Sequence, residues 1–315
     1  MKIIGTKDMA YAVNSIAVSK DAIAVSNSTV TEVLVYPKES DDFSAFAFNA
    51  GSSRQNRIIT YDSQSNCFAA IVNAGKNVAI FNQSEVTQTI RREHFLFEYV
   101  SKNTDLNDAD TLVVLRKPQM HIYKQLSLQE QGEVGHKADA ETDFTYASRA
   151  FEALACVGGV DGATVYVAGN LEDAPYAFGV MLDTVEDGAE TAWLQLRDEP
   201  ANFAQIIINR AGHLFVMAEF SQSFGFWLIN AEGESTEVQS PYAYAFDSYA
   251  ICVFRDEFYI LYSAEDNRAS LLRVNDNHQA ELAATIKGKA TKGIAATDDY
   301  IVVAIDTKIV FITED

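Results

Sequence analysis

Along most of this chain a short apolar or alternating run leads into a tight turn and then a second run rich in Val, Ile, Tyr and Phe. That pattern predicts pairs of antiparallel strands. It occurs in "SIAVSKDAIAVS" with its turn at Lys20 and Asp21, "FAAIVNAGKNVAIF" at Ala74 to Lys76, "LVVLRKPQMHIY" at Lys117 to Gln119, and "ALACVGGVDGATVYVA" at Val160 to Gly162. It returns in "QIIINRAGHLFVMA" at Arg210 to Gly212, "AICVFRDEFYILY" at Arg255 to Glu257, and "GIAATDDYIVVAI" at Asp298 and Asp299. One turn position from each hairpin gives steps of about 42 to 55 residues, the period of a blade-like repeat.

A third strand is expected after several hairpins: "EVLVYP", "FGFWLIN", "SLLRVND" and "KIVFIT". Aromatics mark a fourth. Phe46, Phe95, Phe144, Trp193 and Tyr242 recur at a step of 49 residues, and two places on stand Phe48, Phe97, Tyr146, Gln195 and Tyr244. Alternate strand residues share a face, so a repeated unit would keep wide side chains there to fill the wedge between sheets. The best helical candidates, "SEVTQTIRREHF" and "AETDFTYASRAFEALA", fall where the repeat asks for strands and rank below strand. No segment is long or biased enough for an interdomain linker, so residues 1–315 read as one domain.

Seven hairpins predict seven four-stranded blades of about 45 residues each. After "KIVFITED" no residues remain for an outer strand, and "MKIIGT" stands where a donated one would begin. The expectation is an all-β, single closed propeller whose N-terminal strand completes the last blade and leaves no edge unprotected at the join. The phrase "SIAVSKDAIAVSNSTVTEVLVYPKE" resembles the blade phrasing of the YVTN, NHL and WD40-like groups of the β-propeller superfamily. Trp-Asp is missing, Gly-His occurs only at Gly135 and Gly212, and a double glycine of kelch type only at Gly158 and Gly159. The resemblance implies a fold and no particular activity.

Composition narrows the partners. A formal charge of −20 disfavours nucleic acid and anionic membranes and leaves a protein with a basic surface as the expected partner. No run of about 18 apolar residues and no signal-like h-region is visible, so the expected location is cytoplasmic, or a virion if phage-encoded. Cys67, Cys156 and Cys252 are odd in number and far apart, which predicts reduced, buried thiols in place of a disulfide framework or a zinc knuckle.

The search for chemistry is less productive. Motifs for dinucleotides, nucleoside triphosphates, zinc proteases and nucleophile elbows are missing, and no cofactor is expected. The five histidines, His94, His121, His136, His213 and His278, stand at different phases of the repeat, and His213 after its turn reads as a surface residue. The most suggestive polar cluster is "DLNDAD", with Asp105, Asn107, Asp108 and Asp110 as binding candidates. Asp105 and Asn107 suit the first ligand positions of a calcium loop, but Ala109 and Asp110 break that pattern, so a solvated connection is the plainer reading. The expected innermost strands, among them "AAIVN", "LVVLR" and "QIIIN", are mostly small or aliphatic. Asn73 and Asn209 end two of them with no carboxylate in phase. The function expected is therefore a non-enzymatic interaction or structural scaffold, for instance within a phage virion, with a metal-dependent propeller hydrolase or lyase as the alternative.

Overall fold

The structure is a computed structural model that describes residues 1–19, 21–27, 32–37, 46–50, 59–62, 67–73, 77–91, 99–102, 112–116, 119–123, 132–134, 140–143, 150–157, 164–171, 177–184, 192–241, 248–263 and 267–314. These residues are almost entirely β, and no helix among them is long and apolar enough to cross a membrane. The chain opens with β1 (Lys2–Asp8). A first sheet follows from β2 (Ser15–Val18), β3 (Ala22–Ser26), β4 (Glu32–Pro37) and β5 (Phe46–Asn49). The second contains β6 (Ile59–Asp62), β7 (Cys67–Val72), β8 (Asn77–Phe81) and β9 (Val86–Arg91). The third contains β10 (Tyr99–Lys102), β11 (Leu112–Arg116), β12 (Gln119–Tyr123) and, after β13 (Gly132–Val134), β14 (Ala140–Asp143). Strand β13 adds in parallel to β9.

The fourth sheet is β15 (Ala150–Val157), β16 (Thr164–Leu171), β17 (Ala177–Thr184) and β18 (Ala192–Arg197). The fifth is β19 (Phe203–Ile208), β20 (Leu214–Glu219), β21 (Phe224–Ile229) and β22 (Ser235–Glu237). The sixth is β23 (Ser248–Phe254), β24 (Glu257–Ser263), β25 (Arg268–Val274) and β26 (Ala280–Lys287). The seventh is β27 (Ala290–Ala296), β28 (Ile301–Ile305) and β29 (Lys308–Thr313), and β1 pairs antiparallel with β29 as its outermost strand. Each of these sheets is open, none rolled into a barrel.

All the predicted hairpins are paired antiparallel. In five sheets they are the first two strands; in the second and third sheets they are the second and third strands from the inner side. There the innermost strands are β6 and β10, so "AAIVN" and "LVVLR" are second strands, which corrects the expectation. The reason is that "ITYD" and "YVSK" are short and half polar and carry little hydrophobic signal. Residues of "SEVTQTIRREHF" and "AETDFTYASRAFEALA" lie in β9, β14 and β15, strands as expected.

Burial explains why the hairpins were conspicuous. Central strands such as β20, β24 and β28 are covered on both faces and read as continuous apolar runs. Outermost strands need no such runs, and β22 is Ser-Thr-Glu, exposed throughout. Separate cores fill the spaces between first and second, fourth and fifth, fifth and sixth, sixth and seventh, and seventh and first sheets. At the first of these, Phe48 from β5 lies 4.8 Å from Phe81, a wedge-filling aromatic of the kind expected. The 49-residue series does not extend to every sheet. Phe46 and Phe48 lie in outer strand β5, and Trp193 and Gln195 in outer strand β18, but in the fifth sheet the outer strand β22 ends at Glu237. Phe95, Phe97, Phe144, Tyr146, Tyr242 and Tyr244 lie outside the described residues.

Polar pins join one sheet to the next. Asn170, buried at the end of β16, donates from Nδ2 to the Ala201 carbonyl at 2.8 Å and accepts from the Ala201 N–H at 2.7 Å. Ser263, at the end of β24, accepts the Ala290 N–H at 3.1 Å. Both fix the chain's entry into the following sheet. The innermost strands touch in succession: β2 with β6, then β10, β15, β19, β23 and β27, and β27 with β2.

Candidate functional site

Three first hairpins converge at one end of the fifth, sixth and seventh sheets. The fifth contributes "NRAGH", where Asn209 Oδ1 accepts the His213 N–H at 2.9 Å and Gly212 takes φ of 80°. The same five-residue turn recurs at Asn230 with Gly233 and at Asn275 with His278, each asparagine accepting from the residue four places on. An asparagine oxygen closing its own turn is a recognised local device. The sixth sheet contributes a two-residue turn, Arg255-Asp256, whose φ values of 52° and 66° are both left-handed. Two-residue hairpins favour that geometry, but Asn and Gly adopt it more cheaply than Arg.

The side chain explains the arginine. Arg255 donates from Nε to the Asp298 carbonyl at 3.0 Å and from Nη1 to Glu314 Oε2 at 3.2 Å, reaching the seventh sheet's turn and the end of β29. Arg210 donates from Nη2 to Asp298 Oδ1 at 2.8 Å, and its N–H donates to Asp256 Oδ1 at 2.9 Å. Asn209, itself buried, donates to the Asp256 carbonyl at 3.0 Å. Exposed pairs of this kind contribute roughly 0–1 kcal/mol each. Their effect is to hold three turns in one geometry.

Beneath them lies Tyr259, whose hydroxyl stands 3.1 Å from Glu314 Oε1 and 3.2 Å from Glu257 Oε2. Arg255 flanks one carboxylate and Arg273 the other, giving the chain Arg255, Glu314, Tyr259, Glu257, Arg273. Burial, then the two carboxylates, hold the phenol far above its usual range. Such a phenol keeps its proton near neutrality and links the sixth sheet to the end of the seventh.

A second group sits between the seventh and first sheets. Lys7 Nζ lies 3.9 Å from the ring centre of Tyr36, and burial pushes its amine down to about 8. The Tyr11 hydroxyl is buried without a hydrogen-bond partner, and burial first, then Tyr36 and Glu32, raise its pKa. Nothing in the hydrophobic pattern marked this group. At the innermost strands, Gln205 Oε1 accepts the Ile251 N–H at 3.1 Å, and Lys292 on β27 lies 4.5 Å over the ring of Phe203 on β19.

The structure separates the residues singled out from sequence. Asp105, Asn107, Asp108 and Asp110 lie outside the described residues, as do His94 and His136. Asn73 is exposed after β7, a second strand, with φ of 54°, so it faces no inner mouth. Asn209 builds its own turn and ties it to the next, and half-buried His213 closes that turn through its backbone. Cys252 is buried and its thiol pKa raised by burial, as expected for a core cysteine. The described residues include no group of three His, Cys, Asp or Glu side chains arranged to hold a metal. Arg255 was visible only as a turn residue, because its partners are 43 and 59 positions away.

No protein-family model and no curated protein sequence matches the chain. Solved structures do. Selenomethionine-substituted virginiamycin B lyase from Staphylococcus aureus superposes with a TM-score of 0.68 at 12% identity, over 99% of each chain. The Dos1 propeller gives 0.68 at 6% identity, over 99% of this chain and 95% of that one. The WD40 β-propeller domain of Doa1 gives 0.64 at 11% identity, over 100% and 97%. The fold is therefore that of a β-propeller, with no specific family indicated.

Proposed function

We propose that residues 1–315 form one closed propeller of seven blades, completed by β1, and that it acts as a non-enzymatic scaffold presenting turn-borne charge to another protein. Supporting the closed ring are the inner-strand contacts that return from β27 to β2 and the cores on either side of the seventh sheet. The observation that carries the functional reading is the convergence of exposed, mutually fixed charges from three successive sheets. A rigid frame that holds variable turns in register is suited to recognition. Carboxylates outnumber guanidiniums there: Asp256, Glu257, Asp298, Asp299 and Glu314 against Arg210, Arg255 and Arg273. The partner would offer a basic surface, and Asp105 to Asp110 would add an acidic loop. A larger assembly, such as a phage virion, is a setting that fits.

The test is a pull-down from the source organism with the wild type and with Asp298→Lys/Asp299→Lys. Capture should fall as salt rises to about 0.5 M, where screening shortens to a few ångström, and should fall again in the variant. Capture insensitive to both would contradict the reading. The alternative, a hydrolase or lyase with a metal at the inner mouth, draws on the fold shared with a lyase. Stoichiometric divalent metal in the purified protein would favour it.

A further inference from the structure

Three large apolar side chains are conspicuously exposed among the described residues: Ile3 at 44%, Ile4 at 53% and Leu282 at 57%. All stand on the outermost strands, β1 and β26, of two adjacent sheets. Met1, Ala283 and Ala284 pack against the core those two sheets share. Other outermost strands differ: β22 is wholly polar, and Phe48 of β5 turns to Phe81. Among the described residues one edge of β1 has no strand beside it, which leaves outward N–H and C=O groups as an open ladder. The bulge between Ile3 and Gly5 bends that edge without covering it.

We propose that β1 pairs antiparallel with β1 of a second copy of this chain, about a two-fold axis at Gly5. The segment Lys-Ile-Ile-Gly-Thr-Lys-Asp is self-complementary in that register. Lys2 stands opposite Asp8 of the other copy at both ends, Ile3 opposite Lys7, Ile4 opposite Thr6, and Gly5 opposite itself, so the bulges at Ile4 lie one residue to either side of the axis. A register one residue shorter sets Lys2 against Lys7, and one centred on Lys7 sets that lysine against itself. Of these three registers the Gly5 one alone places opposite charges face to face, and it pairs the whole strand; opposed pairs favour pairing where like pairs oppose it. An isologous contact of this kind closes at two copies. Asp8 also meets Lys308 at 3.4 Å, but its side chain is 85% exposed and free to share. The net charge of −20 sets the copies to repel, so association is weak, with Kd on the order of 10⁻⁴ M.

Sedimentation equilibrium of the full chain in about 0.15 M salt, from about tenfold below to tenfold above that Kd, tests the proposal. The average mass should climb from monomer toward dimer. Ile4→Lys should weaken association at least tenfold, as should Lys2→Asp and Asp8→Lys singly, while Lys2→Asp/Asp8→Lys should restore it and a mixture of the two single variants should associate. All these positions are exposed, so an unchanged thermal midpoint verifies each fold. A monomer at every concentration overturns the proposal, and so does a dimer indifferent to Ile4→Lys or a double variant no tighter than the singles.

Discussion

Replacing Asn170 with Ala removes the pin between the fourth and fifth sheets. Both partners on Ala201 are backbone groups, and Ala201 and Asn170 are buried, 5% and 8% exposed. Two hydrogen bonds at 2.8 and 2.7 Å are lost, each with a net contribution of roughly 0.5–1.5 kcal/mol, and a buried N–H and C=O are left with roughly 1–3 kcal/mol of desolvation between them unless water enters. The expected loss is about 3 kcal/mol. With about 2.1 cal/mol/K per residue over 315 residues, that lowers Tm by about 4–5 °C. The readout is well placed, because the chain's two tryptophans lie in these two sheets, Trp193 in β18 and Trp227 in β21. Urea unfolding followed by tryptophan fluorescence should show the loss. Asn230→Ala, which weakens only an exposed turn, should shift the curve by about 1 kcal/mol or less. If Asn170→Ala costs no more than Asn230→Ala, the sheets are not held by such pins.

Three further outcomes follow from particular positions. His278→Gly should stabilise by about 0.5–1 kcal/mol in the same assay, because φ there is 57° and the sister turns already carry glycine at 212 and 233. Gly225→Ala should destabilise by about 1–3 kcal/mol, since a Cβ would stand 2.2 Å from the Trp227 ring and push it from its contacts with Phe178 and Phe220. The Lys7 amine, held down to about 8, is charged in the folded state only below that value. Its contribution to stability should therefore be full above the ordinary lysine value and fall as pH drops through about 8, a slope that Lys7→Met removes in pH-resolved urea titrations.

Much of the architecture was readable in the chain because hairpins carry their own signal. Ile301 to Ile305 and Phe258 to Tyr262 are buried on both faces and had to be apolar throughout. Ile59 to Asp62 and Tyr99 to Lys102 escaped notice because short strands at the inner side need no such run. The site was less legible. Arg255 reads as a turn residue, and only folding brings it to Asp298 and Glu314. The Asn-led turns at 209, 230 and 275 did have a local signature, an asparagine four residues before a turn-closing N–H, which spacing alone could have revealed. Lys7 and Tyr36 meet because β1 is carried to the far end of the chain, a pairing no window of sequence contains.

The most direct test of the architecture is a disulfide between neighbours on β1 and β29. Asp8 and Lys308 are register partners on adjacent antiparallel strands, so Asp8→Cys/Lys308→Cys should oxidise within one chain. Mass spectrometry should recover a single cross-linked peptide joining positions 8 and 308, and the closed loop should raise the unfolding midpoint. Cysteines that stay reduced, or that link only between chains, would contradict the joining of the first strand to the last.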